Sequence, residues 1–117
     1  MSVIIDDDIL LILYDLAERD RTILPVIQSL EKDPKDSSSW ISLGHSLSEA
    51  ENFESALRCF DNATIVDSKN TDGWFYGGQT LFDWGKYEKA IESYEKVIEI
   101  DPKNTDAWDA LGLALGS

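Results

Sequence analysis

Cysteine, proline, histidine and positive charge are all scarce in this chain of 117 residues. The single cysteine, Cys59, permits neither an intrachain disulfide nor a cysteine-built metal site, which fits a reducing compartment. The three prolines are confined to Pro25, Pro34 and Pro102. Ten Lys and Arg face 23 Asp and Glu, a net charge of −13 with an isoelectric point near 4.2. A chain this acidic lacks the basic face that phosphate contacts require, so no nucleic acid is expected as a partner. Anionic membrane surfaces are disfavoured on the same ground. Long apolar runs are missing too: the longest, Ile9 to Tyr14, is far too short to span a bilayer. The opening MSVIIDDD sets acidic residues beside its first apolar positions, unlike a secretory signal. A cytoplasmic protein is the expectation.

What is present is a repeat. Hydrophobic residues make up 43% of the chain, including four Trp, four Tyr and four Phe, enough for a packed core. Trp40, Trp74 and Trp108 stand 34 residues apart, as do Gly44, Gly78 and Gly112, and again Leu47, Leu81 and Leu115. A fixed period of this length marks a stacked array rather than one isolated core. There are no strand signals, and helical spacing of apolar residues predicts about seven helices.

The first runs over residues 3–20, with Asp6, Asp7 and Asp8 in its first turn, where carboxylates suit the positive helix end. A second spans about 22–32, with Pro25 in its first turn and Asp33-Pro34 as its stop. Ser37, Ser38 and Ser39 offer caps for a helix over 38–50, and Asn52 for one over 53–67 that buries Phe53, Ala56, Leu57 and Phe60. A helix over 72–84 meets a left-handed cap at Gly85. The next, over 87–100, turns Tyr87, Ala90, Ile91, Tyr94, Val97 and Ile98 to the core and pairs Glu92 with Lys96 on its wet face. Asp101-Pro102 ends it, and Thr105 opens a last helix.

Trp40, Leu43, Gly44, Leu47, Ala56, Phe60 and Ala63, then Trp74, Gly78, Leu81, Tyr87, Ala90, Tyr94 and Pro102, then Trp108, Leu111, Gly112 and Leu115 resemble the tetratricopeptide repeat. The resemblance implies an all-α, right-handed superhelical array of antiparallel helix pairs, a single domain over 1–117. Its units are 37–70, 71–104, a partial repeat or capping helix over 105–117, and a diverged N-terminal pair over 3–36. In such packing Gly44 and Gly78 let the helices of a pair approach, and the tryptophans fill the wedge between pairs. Two departures stand out. Ser68 replaces the linker proline, which predicts a looser linker. Gly77 replaces a leucine, and we expect Trp84 or Trp108 to fill the space it vacates.

Chemistry is thinly represented. His45 has no nearby Ser or Cys nucleophile pattern with which to form a triad. Cys59, beside Phe60, reads as a partly buried thiol. The stretch from Ser68 to Gln79 echoes a calcium loop, but Ser and Gln stand where that loop needs Asp and Glu. No catalytic residue, cofactor or metal is expected.

By the resemblance, the first helix of each pair lines a concave groove. That places Ile41, His45, Ser48 and Glu49 in it from one repeat, and Asp72, Phe75, Gln79, Phe82 and Asp83 from the next. Asp106, Asp109 and Leu113 follow from the last helix. The Lys, Asn and Arg with which some members clamp a chaperone's carboxylate tail are replaced by Ile41, His45, Tyr76, Asp106 and Ala110, so that ligand is not expected. The function implied is a protein-interaction scaffold holding a partner's peptide or helix, a segment bearing apolar and basic residues. A second reading is self-assembly into a homo-oligomer through the apolar last helix, with Leu111, Leu113 and Leu115 as contacts.

Overall fold

The computed structural model describes residue 5 and residues 7–117; Asp6 and residues 1–4, which include the start of the expected first helix, lie outside the described residues. Seven α-helices fill the described chain: α1 (Asp7–Arg19), α2 (Leu24–Lys32), α3 (Ser37–Glu49), α4 (Phe53–Val66), α5 (Thr71–Asp83), α6 (Tyr87–Ile100) and α7 (Thr105–Leu115). A single 3-10 turn, Arg21–Ile23, precedes α2, and Pro25 falls in the first turn of that helix as expected. The most extensive packing is within the pairs α3–α4 and α5–α6, followed by α4 on α5 and α6 on α7. The result is an all-α solenoid of antiparallel helix pairs. Its radius of gyration, 14.1 Å, slightly exceeds the roughly 13 Å of a spherical domain of this length.

The period reappears as hydrogen bonds. Each repeat-marking tryptophan donates its indole N–H to the carbonyl six residues earlier: Trp40 to Pro34 at 2.8 Å, Trp74 to Ser68 at 3.1 Å and Trp108 to Pro102 at 2.9 Å. Only a carbonyl is needed, so the linker with Ser68 closes the same turn as the two with proline, against the looser linker expected. The amide of Asn70 reaches Asp67 O at 3.1 Å, as those of Asp36 and Asn104 reach Asp33 O and Asp101 O. Burial of the three indoles is graded. Trp40 is fully enclosed, Trp74 is half-buried and Trp108 is 51% exposed, so only the first fills a wedge completely.

The caps correct the serine assignment. Helix α3 begins one residue earlier than predicted, so Asp36 is its cap, accepting from the amide and hydroxyl of Ser39 at 3.4 and 2.9 Å. Asn70 caps α5 by accepting from the Asp72 amide, and Asn104 caps α7 by accepting from the Ala107 amide, both at 3.0 Å. Asn52 occupies the cap position of α4 but its side chain makes no capping bond. The chain turns too tightly there, with the Asn52 amide bonded back to Leu47 O at 2.9 Å. That turn holds Glu51 at φ 60°, and its counterpart 34 residues on holds Gly85 at φ 82°.

The glycines act through aromatic rings. A Cβ on Gly44 would fall 2.7 Å from the Phe60 ring, and one on Gly78 would fall 2.6 Å from the Tyr94 ring. The expected compensation at Gly77 is different: neither Trp84 nor Trp108 fills its space. The nearest group is Phe60 Cβ, 3.6 Å from where a Gly77 Cβ would lie, because α5 packs directly on α4. Trp84 rests on Phe53 instead, with ring centroids 6.2 Å apart. Tyr87 is 40% exposed rather than in the core, and Lys96 pairs with Glu99 at 3.6 Å rather than with Glu92. The Lys96 ammonium also leans over the Trp74 ring, 5.8 Å from its centroid.

Candidate functional site

Helices α3, α5 and α7 lie side by side, and between α5, α6 and α7 they leave a cavity of about 270 Å³. Its lining is Gln79, Phe82 and Asp83 from α5, Tyr94 from α6, and Ala110 and Leu113 from α7. The construction starts at Gly78. Because that residue has no side chain, the Tyr94 ring settles against the α5 backbone and becomes both core, at 2% exposure, and pocket wall. Burial pushes the Tyr94 hydroxyl up to about 12, and the negative charge of Asp83 adds to the shift. It stays protonated across the physiological range. The cavity therefore has an apolar body and a polar rim of Gln79 and Asp83. At this size, just under the roughly 300–1,000 Å³ of small-molecule pockets, it suits one or two side chains.

Four of the predicted groove residues, Gln79, Phe82, Asp83 and Leu113, thus meet in one place. Phe75 is half-buried between Tyr76 and Tyr94, at 5.5 and 5.9 Å between centroids. His45 is half-buried with its ring 4.1 Å from Tyr76 and edge-on to Phe60 at 5.8 Å, a packed aromatic. Ile41 is partly buried against the N-terminal core, and the Ser48 hydroxyl accepts from Thr80 at 3.2 Å, tying α3 to α5. Glu49, Asp72, Asp106 and Asp109 are exposed. Of the residues considered for self-assembly, Leu111 packs on the C-terminal core, while Leu113 and Leu115 are 69% and 64% exposed. Sequence reasoning assigned Tyr94 to the core alone. Its place 16 residues after Gly78, like Phe60 after Gly44, was the available signal.

Cys59 is fully buried, and burial raises its thiol to about 12 against a small opposing effect of Arg58, so it is inert. Among the described residues no three His, Cys, Asp or Glu gather as a metal site, and no helix is long and apolar enough to cross a membrane.

Residues 78–117 match the family model described as TPR repeat. No curated protein sequence matches the chain significantly. Among solved structures, MamA superposes with a TM-score of 0.76 at 24% identity, over 86% of this chain and 59% of its own. The first TPR of Spaghetti (RPAP3), bound to the HSP90 peptide SRMEEVD, also gives 0.76 at 21% identity, over 99% of this chain and 100% of its own. YrrB, a TPR protein with an unusual peptide-binding site, gives 0.73 at 24% identity, over 80% and 48%. The chain thus spans between about half and all of the structures it resembles. Its fold is that of these tetratricopeptide-repeat structures, and its C-terminal third matches the repeat itself.

Proposed function

We propose that the chain binds a segment of a partner protein along the face formed by α3, α5 and α7, without catalysing a reaction. One apolar side chain of the segment sits in the cavity between α5, α6 and α7, and a Lys or Arg beside it pairs with Asp83. The observation that carries this reading is the cavity itself, an apolar body with a carboxylate and an amide on its rim. Ile41, His45, Glu49, Asp72, Phe75, Asp106 and Asp109 extend the face on either side. The N-terminal pair over 3–36 serves as a diverged first repeat closing the array, and the cytoplasm is the setting that fits. The SRMEEVD peptide held by the RPAP3 domain is acidic at its end. Asp83 and Asp106 would repel such an end, so a ligand of opposite character is favoured here.

A peptide-library screen tests this. Phe82→Ala and Asp83→Lys should each weaken selected peptides, the second with loss of salt sensitivity; indifference to both would remove the groove from consideration. A second reading, self-association through α7, is favoured by the exposure of Trp108, Leu113 and Leu115 and by open space over Gly112, where nothing lies within 4 Å of an added Cβ. Sedimentation velocity across a concentration series decides it, since a constant coefficient would end that reading.

A further inference from the structure

Of the polar groups lining the cavity, those of Gln79 and Asp83 are exposed, whereas the hydroxyl of Tyr94 belongs to a residue only 2% exposed. The ring that carries it is fixed, lying 2.6 Å from where a Cβ on Gly78 would stand and 5.9 Å between centroids from Phe75. Yet the hydroxyl makes no hydrogen bond among the described residues. No side-chain oxygen or nitrogen among them is both sealed from solvent and unpaired. The hydroxyl therefore reaches open space, and the open space that Tyr94 borders is the cavity. Asp83 is near enough for its charge to help hold the proton on the phenol, but it does not accept that proton. The cavity wall thus presents an O–H donor with no acceptor of its own, where groups this deep nearly always have a partner.

The chemistry of the segment decides what can accept. Lys and Arg bring donors and no acceptor, and an apolar side chain brings neither. The acceptors that such a segment owns are its main-chain carbonyls. In a helix these are bonded to amides one turn on; in an extended segment they are free. Gln79, one turn before Asp83 on α5, supports the same geometry. Its rim amide carries a carbonyl and an amino group, which can hold a free main-chain N–H and C=O together.

We propose that the Tyr94 hydroxyl donates to a main-chain carbonyl of the bound segment, which lies extended across the cavity rather than as a helix. This rests on the groove reading and adds to it the conformation of the segment and a ligand contact from α6, the second helix of its pair.

The test takes the tightest peptide from the screen of the native protein and labels it with fluorescein. One form is unmodified. A second series replaces each amide in turn by an ester, whose carbonyl accepts more weakly. A third places the helix-favouring residue α-aminoisobutyric acid at positions where alanine leaves binding unchanged. In anisotropy titrations Tyr94→Phe should weaken the unmodified peptide about fivefold, in keeping with one hydrogen bond between neutral groups. One ester should weaken binding to the native protein by a similar factor, yet bind Tyr94→Phe no worse than the amide does. The α-aminoisobutyric forms should bind more weakly. Tyr94→Phe keeps the ring on Gly78, and circular dichroism with thermal melting checks its fold; the ester and helix-favouring series on the native protein stand independently of it. Unchanged affinity in a folded Tyr94→Phe, no ester that weakens binding, or tighter binding of the helix-favouring forms would overturn the extended segment while leaving the groove standing. A screen that yields no binder, or binders indifferent to Phe82→Ala, would overturn both.

Discussion

Glu51 and Gly85 occupy equivalent turns, yet only one of them is suited to a left-handed backbone. For a residue with a side chain that conformation costs about 1 kcal/mol, and glycine adopts it freely. Glu51→Gly should therefore raise stability by roughly 0.5–1 kcal/mol, and Gly85→Ala should lower it by about 1 kcal/mol, read as shifts in urea midpoint at constant slope. The neighbouring glycines separate by sign in the same way. Gly44→Ala and Gly78→Ala drive a methyl into the rings of Phe60 and Tyr94 and should each cost about 1–3 kcal/mol. Gly77→Ala meets only ordinary contact at 3.6 Å and should gain about 0.5–1 kcal/mol from helix propensity. None of this was legible from composition. The period already separates Gly78, a repeat position, from Gly77, a departure; what it does not show is that Gly78 faces the Tyr94 ring at 2.6 Å while Gly77 faces only Phe60 Cβ at 3.6 Å. Glu51 was legible in principle, standing 34 positions before a recognised left-handed glycine.

Helix α4 buries more residues than any other described helix, holding Ser55, Ala56, Cys59, Phe60, Ala63 and Thr64 between α3 and α5. Cys59 makes that burial sensitive to pH. Its thiol titrates near 12 in the folded chain against an ordinary 9.0, so the folded state holds the proton that the unfolded state releases. The stabilisation is complete below about pH 9 and is lost as pH rises from there toward 12. Thermal melts should show about 1 kcal/mol of loss between pH 9 and 10, a slope that Cys59→Ala removes. Tyr94 adds a similar loss only above its ordinary 10.0, so the two are separable. At this scale the sequence was most informative: hydrophobic period, proline and the Gly85 stop place every helix within a few residues. The caps were misassigned because an aspartate or asparagine just before a serine run competes with it, and the geometry of the turn decides between them.

As a whole the molecule is nearly one-dimensional, each pair touching its neighbours, so its stability should be graded along the array. Hydrogen exchange should find the amides of α4 slowest. Those of α7, where only Ala107 and Ala114 are buried, should be among the fastest. Uniform protection would contradict this. The architecture was legible because the 34-residue period dictates it. The cavity was not, because it depends on Tyr94 reaching across to α5 and on α7 closing over both, a convergence of three helices that spacing along one of them does not reveal. The tryptophan bonds described above have a practical consequence. All three indoles make the same hydrogen bond to a carbonyl, yet their solvent access runs from none at Trp40 to 51% at Trp108. Their emission should therefore differ in colour through hydration, with the Lys96 ammonium over the Trp74 ring adding to the difference there. In a Trp84→Phe background, variants keeping one of the three would act as optical gauges set at even intervals, able to time when each part of the array melts or meets its partner.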